Sequence, residues 1–260
     1  MQKIGLCLSG GVARGIAHIG VLQALEEYNI YPSHLSGASM GAVVAALYAA
    51  GNKPKDILRI ATRISVYKLF KFNWPSMVKG DMELLRQILS EYIEVDSFES
   101  LQKPLYISVS NLNKANYEIW SSGSLFDAII TSSSIPVIFP TMQVKGDVYV
   151  DGGLMNNLPI EPLKKHCDVV LGVNVNPHYP EDETYNDYKS LIQRCSDVLL
   201  WQNTRHRIAM CDVAIEVEGI EKYSPWGFNE YEKMFELGYE STLRRIHLIQ
   251  EKIEAIKEIV

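Results

Sequence analysis

The sequence has no Cys-x-x-Cys pair, and its four cysteines (Cys7, Cys167, Cys195, Cys211) stand far apart with no histidine at metal-ligand spacing. Neither a structural zinc nor a disulfide framework is indicated, and each cysteine sits in an apolar or helical stretch that predicts a buried free thiol. Basic excess is missing as well: 25 Lys and Arg against 31 Asp and Glu give a net charge of −6, which speaks against nucleic acid as a partner. There is no Asn-x-Ser/Thr acceptor. No apolar run reaches the roughly 20 residues a bilayer span needs. The longest charge-free helical stretch, MGAVVAALYAA at 40–50, is half that and reads as a core helix. No signal peptide precedes the strand-like stretch from Lys3 to Leu8, so a cytoplasmic location with peripheral membrane contact is expected. Two phosphate-binding patterns also fail. G-x-x-x-x-G-K-[ST] does not occur, and G-x-G-x-x-G breaks at Val12.

What is present is an alternation of strand, turn and helix over 260 residues, of which 47% are hydrophobic and 22% charged. Strands are expected near 2–8, 34–37, 104–110, 116–120, 141–150 and 168–174. Helices are expected near 16–28, 40–50, 81–93, 123–132, 186–209 and 228–258. Such alternation predicts an α/β fold, a mainly parallel central sheet with helices on both faces, in one domain over 1–260.

Three motifs sit where strands end. Gly37-Ala38-Ser39-Met40-Gly41 fits G-x-S-x-G between a strand and a helix, a turn that forces its serine outward under a helix N-terminus. The plain alternative is a helix-capping serine between two glycines. Gly10-Gly11-Val12-Ala13-Arg14-Gly15 lies between another strand and helix. Its successive amides suit an oxyanion or a phosphate, and equally a bare tight turn. Asp151-Gly152-Gly153 follows the strand-like VYV, placing a carboxylate at a sheet edge as a general base or simply an Asp-Gly turn. For a Ser–His–Asp triad, His166, His178 and His247 are the open choices; His18 and His247 sit on helices and read as packing or surface residues.

SGGVARGIAHIGVLQALEE, then GASMG, then SSSIPVIFP at 132–140, then DGG, resemble in content and order the patatin-like phospholipases. The resemblance covers most of 1–160. It implies a patatin-like fold and a lipid acyl hydrolase with a Ser39–Asp151 dyad, needing no metal and no cofactor. It also implies an oxyanion hole from the amides of Gly10, Gly11 and Val12 with Arg14 nearby, and Gly15, Gly37, Gly41, Gly152 and Gly153 as motif glycines. Acyl transfer or thioester cleavage by the same serine, or a non-catalytic lipid-binding role, remain the alternatives. Val12 stands where the family has a third glycine. Because valine resists φ > 0, the loop is expected to keep an ordinary conformation there.

Residues 53–79 hold seven bases (Lys53, Lys55, Arg59, Arg63, Lys68, Lys71, Lys79) against Asp56 alone, together with Tyr67, Phe70, Phe72 and Trp74. Basic and aromatic side chains interleaved in this way suit the boundary of an anionic membrane; a helical hairpin with solvated lysines is the bland equivalent.

Overall fold

Five consecutive buried residues form the first strand, β1 (Ile4–Leu8), and its lack of alternation fits a position inside a sheet covered on both faces. The fold is given by a computed structural model describing residues 2–63, 82–179 and 184–257. From β1 the chain passes through a 3-10 turn at Val12–Ile16 into α1 (Ala17–Glu27), then β2 (His34–Gly37) and α2 (Met40–Ala49). After α3 (Pro54–Arg63) and α4 (Met82–Tyr92) come β3 (Leu105–Asn111), β4 (Asn116–Trp120) and α5 (Leu125–Ser132). Next are β5 (Met142–Val144), β6 (Asp147–Asp151), α6 (Glu161–His166) and β7 (Val169–Asn174). The chain continues through α7 (Tyr188–Ile208), β8 (Val213–Glu216), α8 (Tyr231–Leu243) and α9 (Ile246–Lys257).

The expected α/β architecture is present. Strands β3, β2, β1, β7 and β8 lie side by side and parallel, while β4, β5 and β6 join antiparallel at the β3 end. The charge-free helix α2 is buried from Gly41 through Ala49. Ile107 of β3 pairs with both Gly37 and Trp120, and Val109 pairs with both Glu118 and Asp151. A strand has two edges, so β4 occupies one, and β2 and β6 share the other end to end. The last residues of β2 and β6 therefore face β3 positions only two apart, about 7 Å along the strand.

Several expectations need correction. The stretch 141–150 is a hairpin rather than one strand, turning at Lys145 and Gly146, which both adopt positive φ (51° and 89°) as two-residue hairpin turns require. The single helix expected over 228–258 breaks after Leu243 into α8 and α9. Met234 and Gly238 of α8 are buried, with Gly238 against the Ala17 backbone of α1, whereas Ile246 and Ile249 of α9 are buried beyond the break. Strand β8 and helix α6 are additional to the expected elements, and α3 lies in the stretch read either as a helical hairpin or as a membrane boundary. All four thiols are free, but only Cys7 is buried; Cys167 and Cys211 are half-buried and Cys195 is exposed.

Candidate active site

Ser39 joins β2 to α2 with φ 51° and ψ −127°, a region sparsely populated by any residue with a side chain. The flanking glycine permits this: a Cβ on Gly41 would come within 2.3 Å of the Leu8 carbonyl oxygen. The turn directs the Ser39 amide away from the sheet ladder, and it donates to Ser132 Oγ at 2.9 Å. Ser132 Oγ in turn donates to the Ser108 carbonyl of β3 at 2.7 Å. The side chain lies at the N-terminus of α2, where the helix dipole favours negative charge.

Asp151 ends β6, and its amide donates to the Ser134 carbonyl at 2.9 Å. Its Oδ1 accepts from the Gly153 amide at 2.7 Å, whereas Oδ2 is buried without a hydrogen-bond partner. Burial pushes the carboxyl up to about 6, against smaller opposing pulls from the Ser39 hydroxyl and the Gly153 amide. Ser39 is thus near enough to bias the carboxyl's charge, although no well-formed hydrogen bond joins the two. Gly152 sits over β3 so tightly that a Cβ there would lie 2.0 Å from the Ser108 carbonyl oxygen. From α7, Asn203 Nδ2 donates to the Gly153 carbonyl at 3.0 Å, and Asn203 Oδ1 accepts from the Asn157 amide at 3.2 Å. Sequence reasoning did not single out Ser132 or Asn203. The SSSIPVIFP motif pointed toward the first, and no local pattern marks the second.

The glycine loop meets the serine directly. A Cβ on Gly10 would lie 3.1 Å from Ser39 Cβ, and Gly15 lies against Met40 at the start of α2. The Gly10 amide already donates to the Asn157 carbonyl at 3.2 Å. Among the described residues the Gly11 and Val12 amides have no such acceptor, which narrows the candidate oxyanion donors to those two. Val12 adopts φ 50°, contrary to the expectation of an ordinary conformation. The loop is held on both sides of it: Asn176 Nδ2 donates to the Gly10 carbonyl at 2.6 Å, and the Ala13 amide donates to the Pro225 carbonyl at 2.9 Å. Tertiary anchoring outweighs the preference of the β-branched side chain, a strain of about 1–3 kcal/mol. Arg14 also differs from its expected place at the oxyanion. Its Nε donates to the Tyr223 carbonyl at 2.9 Å and its Nη2 to the Glu221 carbonyl at 3.3 Å, fastening the loop to the segment before α8.

The histidines lie elsewhere. His18 is fully buried behind the glycine loop, donating from Nε2 to the Ser9 carbonyl at 2.7 Å, and burial lowers it to about 4. His34 begins β2, at the end opposite Ser39, and stacks on His166. His178 stacks on Trp201, and His206 and His247 belong to α7 and α9. Among the described residues the Asp151 carboxyl has no imidazole partner. No group of three or more His, Cys, Asp or Glu side chains among them is placed to hold a metal ion. No described helix is long and apolar enough to cross a membrane. Lys68, Lys71 and their aromatic neighbours lie outside the described residues.

A serine on a strained strand-to-helix turn, a buried carboxyl and a glycine loop come together on a mainly parallel α/β sheet. Residues 6–164 match the family described as patatin-like phospholipase, and the chain belongs to that family. Among curated relatives, it is similar to lysophospholipase NTE1 of Cryptococcus neoformans var. neoformans, 32% identical over 176 residues, 64% of this chain and 10% of that protein. To lysophospholipase NTE1 of Saccharomyces cerevisiae it is 31% identical over 199 residues, 72% of this chain and 11% of that protein. The chain thus spans about a tenth of the length of the curated relatives it matches. In fold it resembles VipD from Legionella pneumophila, with a TM-score of 0.55 at 16% identity over 90% of this chain and 67% of that one. It also resembles human GIVD cytosolic phospholipase A2 in complex with methyl gamma-linolenyl fluorophosphonate inhibitor and terbium chloride, with a TM-score of 0.55 at 11% identity over 98% of this chain and 59% of that one.

Proposed function

We propose that the chain is a serine-dependent lipid acyl hydrolase working through a Ser39–Asp151 dyad. The observation that carries this is the Asp151 carboxyl, buried beside Ser39 with Oδ2 uncommitted and its pKa raised to about 6. A carboxylate so placed is a stronger base than one in water and has a free oxygen to receive the serine proton. Ser39 Oγ attacks the acyl carbonyl as its proton passes to Asp151. The Gly11 and Val12 amides and the start of α2 stabilise the oxyanion, an effect of about 3–4 kcal/mol per key donor in comparable sites. Protonated Asp151 then gives its proton to the departing alcohol. Water, deprotonated by the same carboxylate, attacks the acyl-serine; the proton returns from Asp151 to Ser39 Oγ as the acyl–oxygen bond breaks and the fatty acid leaves.

Lysophospholipids are the first substrates to try, because the curated relatives carry the name lysophospholipase. The test is labelling by a serine-reactive fluorophosphonate, followed by fatty-acid release from lysophospholipids, diacyl phospholipids and p-nitrophenyl esters. Labelling at Ser39 with acyl release to water supports the reading. Release only to an added alcohol or thiol would make the protein a transferase, and lipid binding without labelling would make it a binding protein. The whole of 1–260 is proposed to act as one domain, meeting anionic lipid through 53–79. A Lys68→Glu/Lys71→Glu variant should then bind anionic vesicles less at low salt and cleave a soluble ester as before. Equal vesicle binding by both proteins would remove that segment from the role.

A further inference from the structure

Ser39 and Asp151 come from different parts of the chain, yet the same short turn touches the backbone of both. At the end of α5, Ser132 receives the Ser39 amide at 2.9 Å, and two residues later the Ser134 carbonyl receives the Asp151 amide at 2.9 Å. Ser132 is fully buried and bonded on both sides, accepting from Ser39 and donating to the Ser108 carbonyl at 2.7 Å. That same carbonyl oxygen underlies Gly152, the residue after Asp151. A continuous line of contacts therefore runs from the Ser39 peptide through one hydroxyl to the floor of the Asp-Gly-Gly turn.

We propose that Ser132 is a positioning residue for the nucleophile, holding the Ser39 peptide in its strained conformation so that Oγ faces Asp151. The inference rests on the reading of Ser39 as the nucleophile. At φ 51° the peptide of Ser39 has an easy relaxation toward ordinary backbone angles, and the bond from its amide to Ser132 opposes it. The geometry calls for a side chain that accepts from an amide and donates to a carbonyl through a single atom. A hydroxyl does this and a methyl does neither. Without it the Ser39 N–H is left buried and unpaired, and the turn relaxes. Oγ then swings away from the carboxyl, and a misplacement of about 1 Å at a reacting atom lowers the rate about tenfold to hundredfold.

The experiment compares Ser132→Ala with Thr131→Val, both on the intact chain. Thr131 is the neighbouring buried residue, and its hydroxyl donates only to the Asp127 carbonyl of its own helix. Thr131→Val thus removes a buried hydroxyl one position away without touching Ser39 or Asp151. Ser132→Ala should lower kcat and the maximal rate of fluorophosphonate labelling about tenfold or more, with KM changed less than about twofold. Thr131→Val should keep kcat within about twofold of wild type. Ser132→Thr, which retains the hydroxyl, should recover rate relative to Ser132→Ala, and peptides spanning 36–42 should exchange amide hydrogens faster in Ser132→Ala alone. Wild-type kcat in a folded Ser132→Ala would overturn the proposal. So would losses that run in parallel with Tm in both variants, since these would mark plain destabilisation. Labelling of wild type that survives Ser39→Ala would instead overturn the nucleophile assignment itself, and the proposal with it.

Discussion

Asp151 commits one carboxylate oxygen to the Gly153 amide at 2.7 Å and leaves the other buried and free. The bond to Gly153 fixes the rotation of the carboxyl. Oδ2 is then left with its full capacity to accept a hydrogen bond, and burial raises the proton affinity of the carboxyl.

Ser39→Ala and Asp151→Asn should each abolish ester hydrolysis, by about three orders of magnitude or more in kcat, while circular dichroism stays native. His34→Ala, His166→Ala, His178→Ala, His206→Ala and His247→Ala should keep substantial activity. His18→Ala is a different case. It empties a fully buried site behind the glycine loop, so its first effect should be a lower Tm. A folded variant of one of the other five histidines that falls as far as Ser39→Ala would establish a triad.

The rate should follow deprotonation of Asp151. With the carboxyl at about 6, kcat/KM should climb as pH rises, with its midpoint near 6, and level off above pH 7. A midpoint near 4, the ordinary carboxylate range, would mean that burial does not tune this group.

The same carboxyl makes an opposite prediction for stability. Its pKa is higher folded than unfolded, so the stability it contributes below its ordinary range is lost as pH rises through about 6. Above that pH a buried carboxylate costs about 3 kcal/mol, and Asp151→Asn removes the cost. The variant should therefore melt above wild type at pH 8 by a margin that shrinks toward pH 4. An equal margin at both pH values would contradict this.

Val12 carries strain that glycine would not. At φ 50° Val12→Gly loses side-chain packing but relieves the backbone, whereas Val12→Ala loses packing and keeps the strain. Chemical denaturation should thus place Val12→Gly about 1 kcal/mol above Val12→Ala, the reverse of their usual order within a helix. Alanine the more stable of the two would show that the loop adopts another conformation in solution.

Hydrolysis should persist in excess EDTA, because amides and a helix start supply the positive potential the oxyanion needs. Loss of acyl release from a soluble ester on chelation, with rescue by calcium, would defeat this account of the chemical step.

Much of this protein is written locally. G-x-S-x-G at a strand end carries its own consequence, since a Cβ on Gly41 would strike β1, and the charge-free stretch 40–50 can only be a core helix. The continuous apolar runs of β1 and β7 announce buried parallel strands for the same reason: neither face of such a strand can meet water. These signals lie within a few residues of one another, where sequence spacing equals spatial neighbourhood.

The remainder was decided by contacts between distant parts of the chain. Nothing near Val12 announces a positive φ; anchors from Asn176 and Pro225 impose it. Arg14 has the chemistry of an oxyanion ligand, but the carbonyls of Tyr223 and Glu221 reach it first. The separation of Ser39 and Asp151 depends on β2 and β6 sharing one edge of β3, a register fixed by pairing energies spread over whole strands. Local pattern thus chose the residues that could react, and long-range pairing chose which of them would meet.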